Sequence, residues 1–406
     1  MNLHDDKKRN KKFYIICTIS ILAVFMLGNI TARFGFIIGP DFIKYYRAVK
    51  YADVYSEYAG LFQARDILMS KYNGDVDDSV LLNGAIKGMA SSLEDPYTVY
   101  MDKDEYNQFN MSNSGLRVGI GVTVSVKDDK VTIMDVEEGT PADKGKLKSG
   151  DVIEKVNGEE VGNDSSKAVS LIGSSNDTVT LTILRNNEPF DVTLTKEEIK
   201  TSSVESEMVN DEVGYIKLKT FNEGSSTEFI DALTNLKNQG MKGLIFDLRS
   251  NGGGFLSEAE SIASQFIPKG EVITTLDNKY GNKKTSVSKG GIAEGMPVVL
   301  LVNGNTASAS EVVTGALRDY EIAQIVGENT YGKGVAQSTF GIKPTEGALK
   351  VTVDNFYTPN GENINKIGIK PDYEVALTKD DVAGGYSKDK DPQYKKALEV
   401  INEKLK

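Results

Sequence analysis

The spacing of apolar positions along the chain changes character four times, and each change marks a different kind of element. Residues 13 to 31, FYIICTISILAVFMLGNIT, carry no charge. As a helix such a run rises about 28 Å, close to the thickness of a bilayer core. Lys7, Lys8, Arg9, Lys11 and Lys12 precede it, and only Arg33 is basic between it and Lys44. That asymmetry keeps the N-terminus in the cytoplasm and sends the remainder across the membrane. No A-x-A-like cleavage site follows, and Tyr14-Ile15-Ile16 lack the small residues expected before a lipidated cysteine at Cys17. The expectation is a cytoplasmic stub over 1–12 and an uncleaved single-pass anchor over 13–35 in the cell membrane, with the rest extracytoplasmic.

Helical spacing follows over 36–105: Ala64, Ile67, Leu68 and Tyr72 form one apolar stripe, and Val80-Leu81 through Met89 another. Asp95-Pro96 ends this region, and packing is the expected role of both stripes. From Gly115 the pattern turns to short alternating strands. Val118 to Val122 opens one, Lys130 to Ile133 follows, and Thr140-Pro141-Ala142 leads a short helix. A second helix over Ser165–Ile172 precedes strands at Thr178–Leu184 and Phe190–Leu194.

Beyond Glu198, strands at Gly214–Phe221, Leu244–Leu248, Val298–Val302 and Ile322–Val326 alternate with helices near Thr227–Gln239, Glu258–Phe266 and 308–319. That alternation predicts α/β crossover units rather than a sandwich. Residues 384–392 read as a polar loop and 393–405 as an amphipathic helix.

Composition narrows the chemistry. A chain of 406 residues has room for two or three domains, and its net charge of −11 argues against a nucleic-acid partner. The only cysteine is Cys17, so no intrachain disulfide or thiolate metal cluster can form. The only histidine is His4, which removes a Ser-His-Asp triad and histidine-based zinc sites.

Asn303 to Glu311 joins an apolar strand to a helix. A serine there lies beside unpaired helix N–H groups, where an incipient oxyanion would find donors. Ser308 is therefore a candidate nucleophile, although serines at a helix start often only cap it, and Ser310 is nearly as good a candidate. Lys333, between Gly332 and Gly334, is the outstanding candidate base. It must be neutral to serve, so its pKa has to fall from about 10.4 towards 7, a cost of about 4 to 5 kcal/mol that burial can supply. A solvated lysine is the bland alternative, and no phosphate-binding G-x-x-x-x-G-K-[ST] is present. Gly252-Gly253-Gly254 at the end of another strand would expose backbone N–H groups to a bound carbonyl, or form a tight turn, or both.

The pattern TPADKGKLKSGDVIEKVNG resembles a PDZ domain. In that module an extended peptide adds as a strand, here beside Val122 to Val124, while N–H groups of Gly119-Ile120-Gly121 receive its C-terminal carboxylate. The larger set of motifs, GAIKGM with LEDPYTVY, DLRSNGGG, TASASEVVTGAL, GENTYGKGVAQ and YTPNGENI…GIKPD, resembles the carboxyl-terminal processing or tail-specific proteases, PDZ-containing serine peptidases with a Ser-Lys dyad.

The resemblance implies an α/β protease core, a crotonase/Clp-protease-like β-α superhelix, over 199–380. It also implies an inserted PDZ domain over 106–198, a helical N-terminal dimerisation region over 36–105, and a C-terminal linker and helix over 381–406. It implies Ser308 as nucleophile, Lys333 as base and Gln337 orienting the lysine amine. Gly253 and Ala309 would supply the oxyanion hole; relatives can carry proline, which has no N–H, at the position of Gly252. No metal or organic cofactor is implied. The implied partners are proteins with exposed C-terminal tails, and the implied assembly is a homodimer. Tyr97-Thr98 departs from the family's usual His-Ser, at a position expected to lie outside the dyad.

Two rivals remain. One is a catalytically inactive PDZ scaffold, against which the joint presence of Ser308, Lys333 and Gln337 argues. The other is a penicillin-recognising hydrolase, whose S-x-x-K pattern fails because Glu311 stands three residues after Ser308.

Overall fold

The computed structural model describes residues 52–378, 381 and 386–406. The segment 13–35 assigned to an anchor lies outside them; among the described residues no helix is long and apolar enough to cross a membrane. The chain divides into two compact units, 1–85 and 86–406.

In the first unit, helices Ala52–Glu57 and Ala59–Lys71 are followed by the start of helix Asp78–Ser91. Arg65 grips Asp78 with both ends of its guanidinium, at 2.6 and 2.7 Å. The apolar stripe expected to pack does not: Ile67 is 52% exposed and Tyr72 64%. Among the described residues of this unit there is no sheet for the helix to lie on.

The second unit is built on a six-stranded sheet in the order Val204–Met208, Val213–Leu218, Gly243–Asp247, Val298–Val302, Ala323–Gly327 and Tyr373–Glu374. All neighbours are parallel except the first pair. GLIFD and VVLLV are buried at every position, as parallel strands covered on both faces must be. Helices Ser225–Asn238, Leu256–Ala263 and Ala309–Asp319 bury Phe229, Phe246 and Phe266 in one core. Helix Pro392–Lys404 covers the opposite face with Tyr394, Ala397, Val400 and Ile401. Buried Arg249 fixes that helix by bonding both Asp247 and, at 2.6 Å, Asp391. Because Asp247 pairs with Leu301, the turns after these two strands leave the same edge of the sheet, where α/β proteins place their sites.

A second, antiparallel sheet was not legible beforehand. Gly347–Tyr357 is its long strand and pairs with Val335–Ile342, Val99–Met101 and Val272–Asn278, the last also pairing Lys283–Val287. It brings the segments around Tyr97 and Gln337 to the open edge of the first sheet.

The inserted domain has its own core of Val131, Ile133, Ile153, Leu181 and Ile183. The strand expected over Val118–Val122 is in fact two. Leu116–Gly119 pairs with Glu197–Lys200, and Val122–Lys127 pairs with Lys130–Val136 in a different sheet. The break is enforced at Gly121, whose φ is +81° and where a Cβ would sit 2.2 Å from the Thr140 hydroxyl. Val122–Lys127 is an edge strand, with a ladder on one side only. The domain's entry and exit are tied together by the Leu116–Gly119 ladder and by Thr201 N–H donating to Gly115 O at 2.9 Å.

Candidate active site

The turns leaving the parental sheet are stitched to each other before any reactive group is placed. Ser250 N–H donates to Asn303 Oδ1 at 2.9 Å, Thr306 Oγ1 to Leu248 O at 2.9 Å, and Ala307 N–H to Asn251 O at 3.0 Å. The chain then forces Ser308 to φ 58°, ψ −116°, immediately before helix Ala309–Asp319. A non-glycine residue there stores about 1–3 kcal/mol of strain, and sharp turns of this kind push a side chain out of the strand–helix junction. Ser308 lines a cleft of about 510 Å³, together with Ala309, Gly252, Gly253, Lys333, Gln337 and Lys350.

The two candidate serines separate cleanly. Ser310 is fully buried, and its hydroxyl donates to Asn251 O at 2.9 Å. Only Ser308 faces the cleft.

Gly253 (φ +101°) runs so close to the elbow that a Cβ would lie 2.9 Å from Ala309 N and 2.9 Å from Ser308 Cβ. Ala309 N–H is the first of the helix and has no acceptor among the described residues. Gly253 N–H, in contrast, donates to Asn251 Oδ1 at 2.9 Å. It can serve an oxyanion only by sharing or leaving that bond.

Lys333 is delivered by a carboxylate that the sequence reading did not single out. Glu311 is fully buried; its Oε2 accepts from Ser308 N–H at 2.9 Å and Lys333 N–H at 2.8 Å, and its Oε1 from Gly332 N–H at 2.7 Å and Thr330 Oγ1 at 2.5 Å. One side chain thus clamps the backbones of both dyad candidates. The flanking glycines are required by crowding against the 364–368 loop: a Cβ on Gly332 would lie 2.8 Å from Gly368 N, and one on Gly334 2.6 Å from Asn365 N. The pattern Ser308-x-x-Glu311, a helix-start signature, was the available signal for Glu311.

Lys333 Nζ stands 4.8 Å from the centre of the Tyr97 ring. The departure at Tyr97, expected to lie outside the dyad, therefore touches its candidate base. The ring attracts the ammonium form. No hydrogen bond joins Ser308 Oγ to Lys333 Nζ among the described residues, and catalytic contacts of this kind often tighten only with substrate in place. Gln337 lines the cleft, but its amide faces Val335 O and Thr352 Oγ1, each at 3.4 Å, rather than the lysine.

In the inserted domain, Gly119, Ile120 and Gly121 are buried. Ile120 O and Gly121 O accept from Ala142 and Glu137 N–H at 2.8 and 3.0 Å, while the N–H groups of Ile120 and Gly121 have no acceptor among the described residues. They lie at the head of the open edge that begins at Val122.

Three family models match the chain: peptidase family S41 over residues 212–375, the PDZ domain over 118–195, and the activating protease CtpB N-terminal domain over 45–105. The carboxy-terminal processing protease CtpA of Bacillus subtilis is 34% identical over 375 residues, covering 91% of this chain and 78% of the relative. The chain belongs to the carboxy-terminal processing proteases of family S41. A CtpA-like serine protease of Staphylococcus aureus is 37% identical over 77% of this chain, which spans 64% of that relative's length. An S41 protease from Bacteroides fragilis, 17% identical with a TM-score of 0.55, shares the fold over 82% of this chain and 92% of its own.

The chain is thus a serine-type peptidase, and Lys333 is the candidate base in its cleft. Burial pushes the Lys333 ammonium below its ordinary pKa, the Lys350 charge pushes further, and the Glu311 and Asp95 carboxylates oppose; the net shift is downward. A base with a depressed pKa becomes competent as pH rises through that value, so kcat/KM is expected to climb with pH with a midpoint below that of an ordinary lysine. A pH–rate profile that is flat across the neutral and alkaline range would remove Lys333 as the base.

Proposed function

We propose that this protease cleaves proteins by a Ser308–Lys333 dyad. The single observation that carries the reading is the strained Ser308 elbow opening on the same cleft as a lysine whose surroundings favour its neutral form. Lys333 takes the Ser308 proton as Oγ attacks the scissile carbonyl. The oxyanion falls to Ala309 N–H and to Gly253 N–H once it turns from Asn251, and Gln337 swings to hold the lysine amine. The amine leaves with the proton, and the lysine then activates water against the acyl-enzyme. A fluorophosphonate probe is expected to modify Ser308, read by mass spectrometry of the labelled peptide. Labelling that survives Ser308→Ala, or none in the wild type, would overturn the assignment and favour the inactive-scaffold alternative.

Substrates are recognised by their C-terminal tails. The unpaired N–H groups of Ile120 and Gly121 support carboxylate capture, and the free edge of Val122–Lys127 supports strand addition beside it. Amidating the C-terminus of a cleavable peptide weakens binding by about 1.5 to 3 kcal/mol, the range for a hydrogen bond to a charged group; equal affinity measured by calorimetry for free and amidated tails would sink this part alone.

The charge-free segment 13–31 and the basic stub before it support a cell-membrane anchor with the protease extracytoplasmic. The exposed stripe of Ile67, Leu68 and Tyr72 supports a homodimer through the N-terminal helices. The crossover order of the parallel strands supports a crotonase/Clp-protease-like core.

A further inference from the structure

Among the described residues the cleft that holds Ser308 is lined by two charged side chains, Lys333 and Lys350, and by no acid, in a chain whose net charge is −11. Lys333 has a proposed role in the chemistry; Lys350 so far has only the indirect one of helping to depress the Lys333 pKa. It sits on the long strand Gly347–Tyr357, directly across from Thr339 and two residues from Thr352, which faces Gln337. Side chains two apart on a strand share a face, so Lys350 projects beside the Gln337 amide. It is half-buried, and its ammonium stands 5.3 Å from the centre of the Phe109 ring on helix Lys103–Asn113. Among the described residues no carboxylate pairs with it, whereas other lysines in this unit, such as Lys144, Lys219 and Lys242, have one.

A half-buried cation without a counter-ion is costly, and that cost falls when an anion arrives. Desolvation already weighs against the charged form of Lys350. The cleft's other lining at this end is neutral: Thr339, Gln337, Asn110 and Ser112 supply hydrogen-bonding groups, and Phe109 an apolar wall. Such a pocket fits a carboxylate carried on a short apolar stem.

We propose that Lys350 is an anion subsite of the cleft, which takes a carboxylate of the bound chain. The proposal rests on the reading of this cleft as the peptidase site and adds its specificity. The carboxylate has two sources, an Asp or Glu side chain near the scissile bond or the α-carboxylate of a tail that enters the cleft. Either would place its negative charge where Lys350 can donate a charge-assisted hydrogen bond. Arg would preserve the subsite and Met would remove it without shortening the stem.

The test reads binding on Ser308→Ala full-length protein, so it does not depend on turnover. Fluorescent peptides carry Glu or the isosteric Gln at each residue around the scissile bond, with free or amidated C-termini, and affinities are measured by anisotropy. At one position Glu is expected to bind about tenfold more tightly than Gln. Adding Lys350→Met is expected to erase that ratio, and Lys350→Arg to keep it. If the tail carboxylate is the source, the ratio that Lys350→Met erases is the one between free and amidated peptides; an amidation effect that persists in Lys350→Met belongs to the inserted domain. Glu, Gln and amidated peptides all indifferent to Lys350→Met would overturn the proposal. Cleavage of these peptides by Ser308→Ala would instead count against the dyad, so the two failures are told apart.

Discussion

Replacing Ser308 with alanine is expected to abolish peptide cleavage, Lys333→Ala to do the same, and the double variant to lose little more than either. The expected loss in kcat for each is on the order of 10⁴- to 10⁶-fold, the scale seen when one member of a cooperating catalytic unit is removed. The elbow explains why alanine isolates the chemistry. Ser308's backbone is fixed by Glu311 through its N–H and by the turn stitched at Asn251 and Asn303, none of which involves the hydroxyl. Lys333 is likewise held through its main chain, while its ammonium stands over the Tyr97 ring. Both variants should therefore melt within a few degrees of the wild type. Single-turnover kinetics on an unstructured peptide, with thermal unfolding alongside, provide the check. Residual turnover near wild type in either variant removes that residue from the mechanism, and losses that multiply in the double variant refute a shared step.

The second large effect is expected at Glu311. Its carboxylate satisfies four donors in a site from which water is excluded, so Glu311→Ala leaves those donors without a partner, each costing about 1 to 3 kcal/mol unless the turn rearranges. Rearrangement separates the elbow from the lysine segment, and a displacement of about 1 Å can cost 10²-fold in rate. A drop in both melting temperature and kcat would be expected from any disrupted core, so the informative variant is Glu311→Gln. It keeps the volume and removes the charge that opposes the depression of the Lys333 pKa. Asp95 remains as the opposing carboxylate, Lys350 as the reinforcing cation and Tyr97 as the ring over the amine. The residual activity of Glu311→Gln should then titrate at lower pH than the wild type. An unmoved profile would reduce Glu311 to a packing role.

How much of this could be read from the chain depended on the physics of each segment. The parallel strands were visible because GLIFD and VVLLV are apolar on both faces, and the helices between them because they carry one stripe each. The antiparallel sheet was not, because strands such as KKTSV and VAQSTFGI mix polar and apolar positions, and because Val99–Met101 and Val272–Asn278 find their partner strand, Gly347–Tyr357, far along the chain. Sequence spacing brought Ser308, Lys333 and the glycine turn into consideration, but could not separate Ser308 from Ser310. That choice depends on which hydroxyl is buried against Asn251, a contact across 59 residues. Tyr97 and Lys350 were missed for the same reason, since each reaches the cleft through a strand pairing that no local pattern encodes. The apolar spacing at Ile67 to Tyr72 was legible as helical, but which surface covers it is not written in its periodicity.

The inserted domain leaves and re-enters the protease through strands that lie side by side, with Gly115 O and Thr201 N–H closing the junction at 2.9 Å. A module whose two ends nearly touch can be cut out, and the gap bridged by a very short linker, without stretching the parent fold. The same junction accepts any replacement whose own termini are adjacent, so an unrelated recognition domain grafted between these positions inherits a mount next to helix Lys103–Asn113, a wall of the cleft. In evolutionary terms the selector and the cutter can be exchanged independently, and the choice of target can change while the chemistry stays as it is.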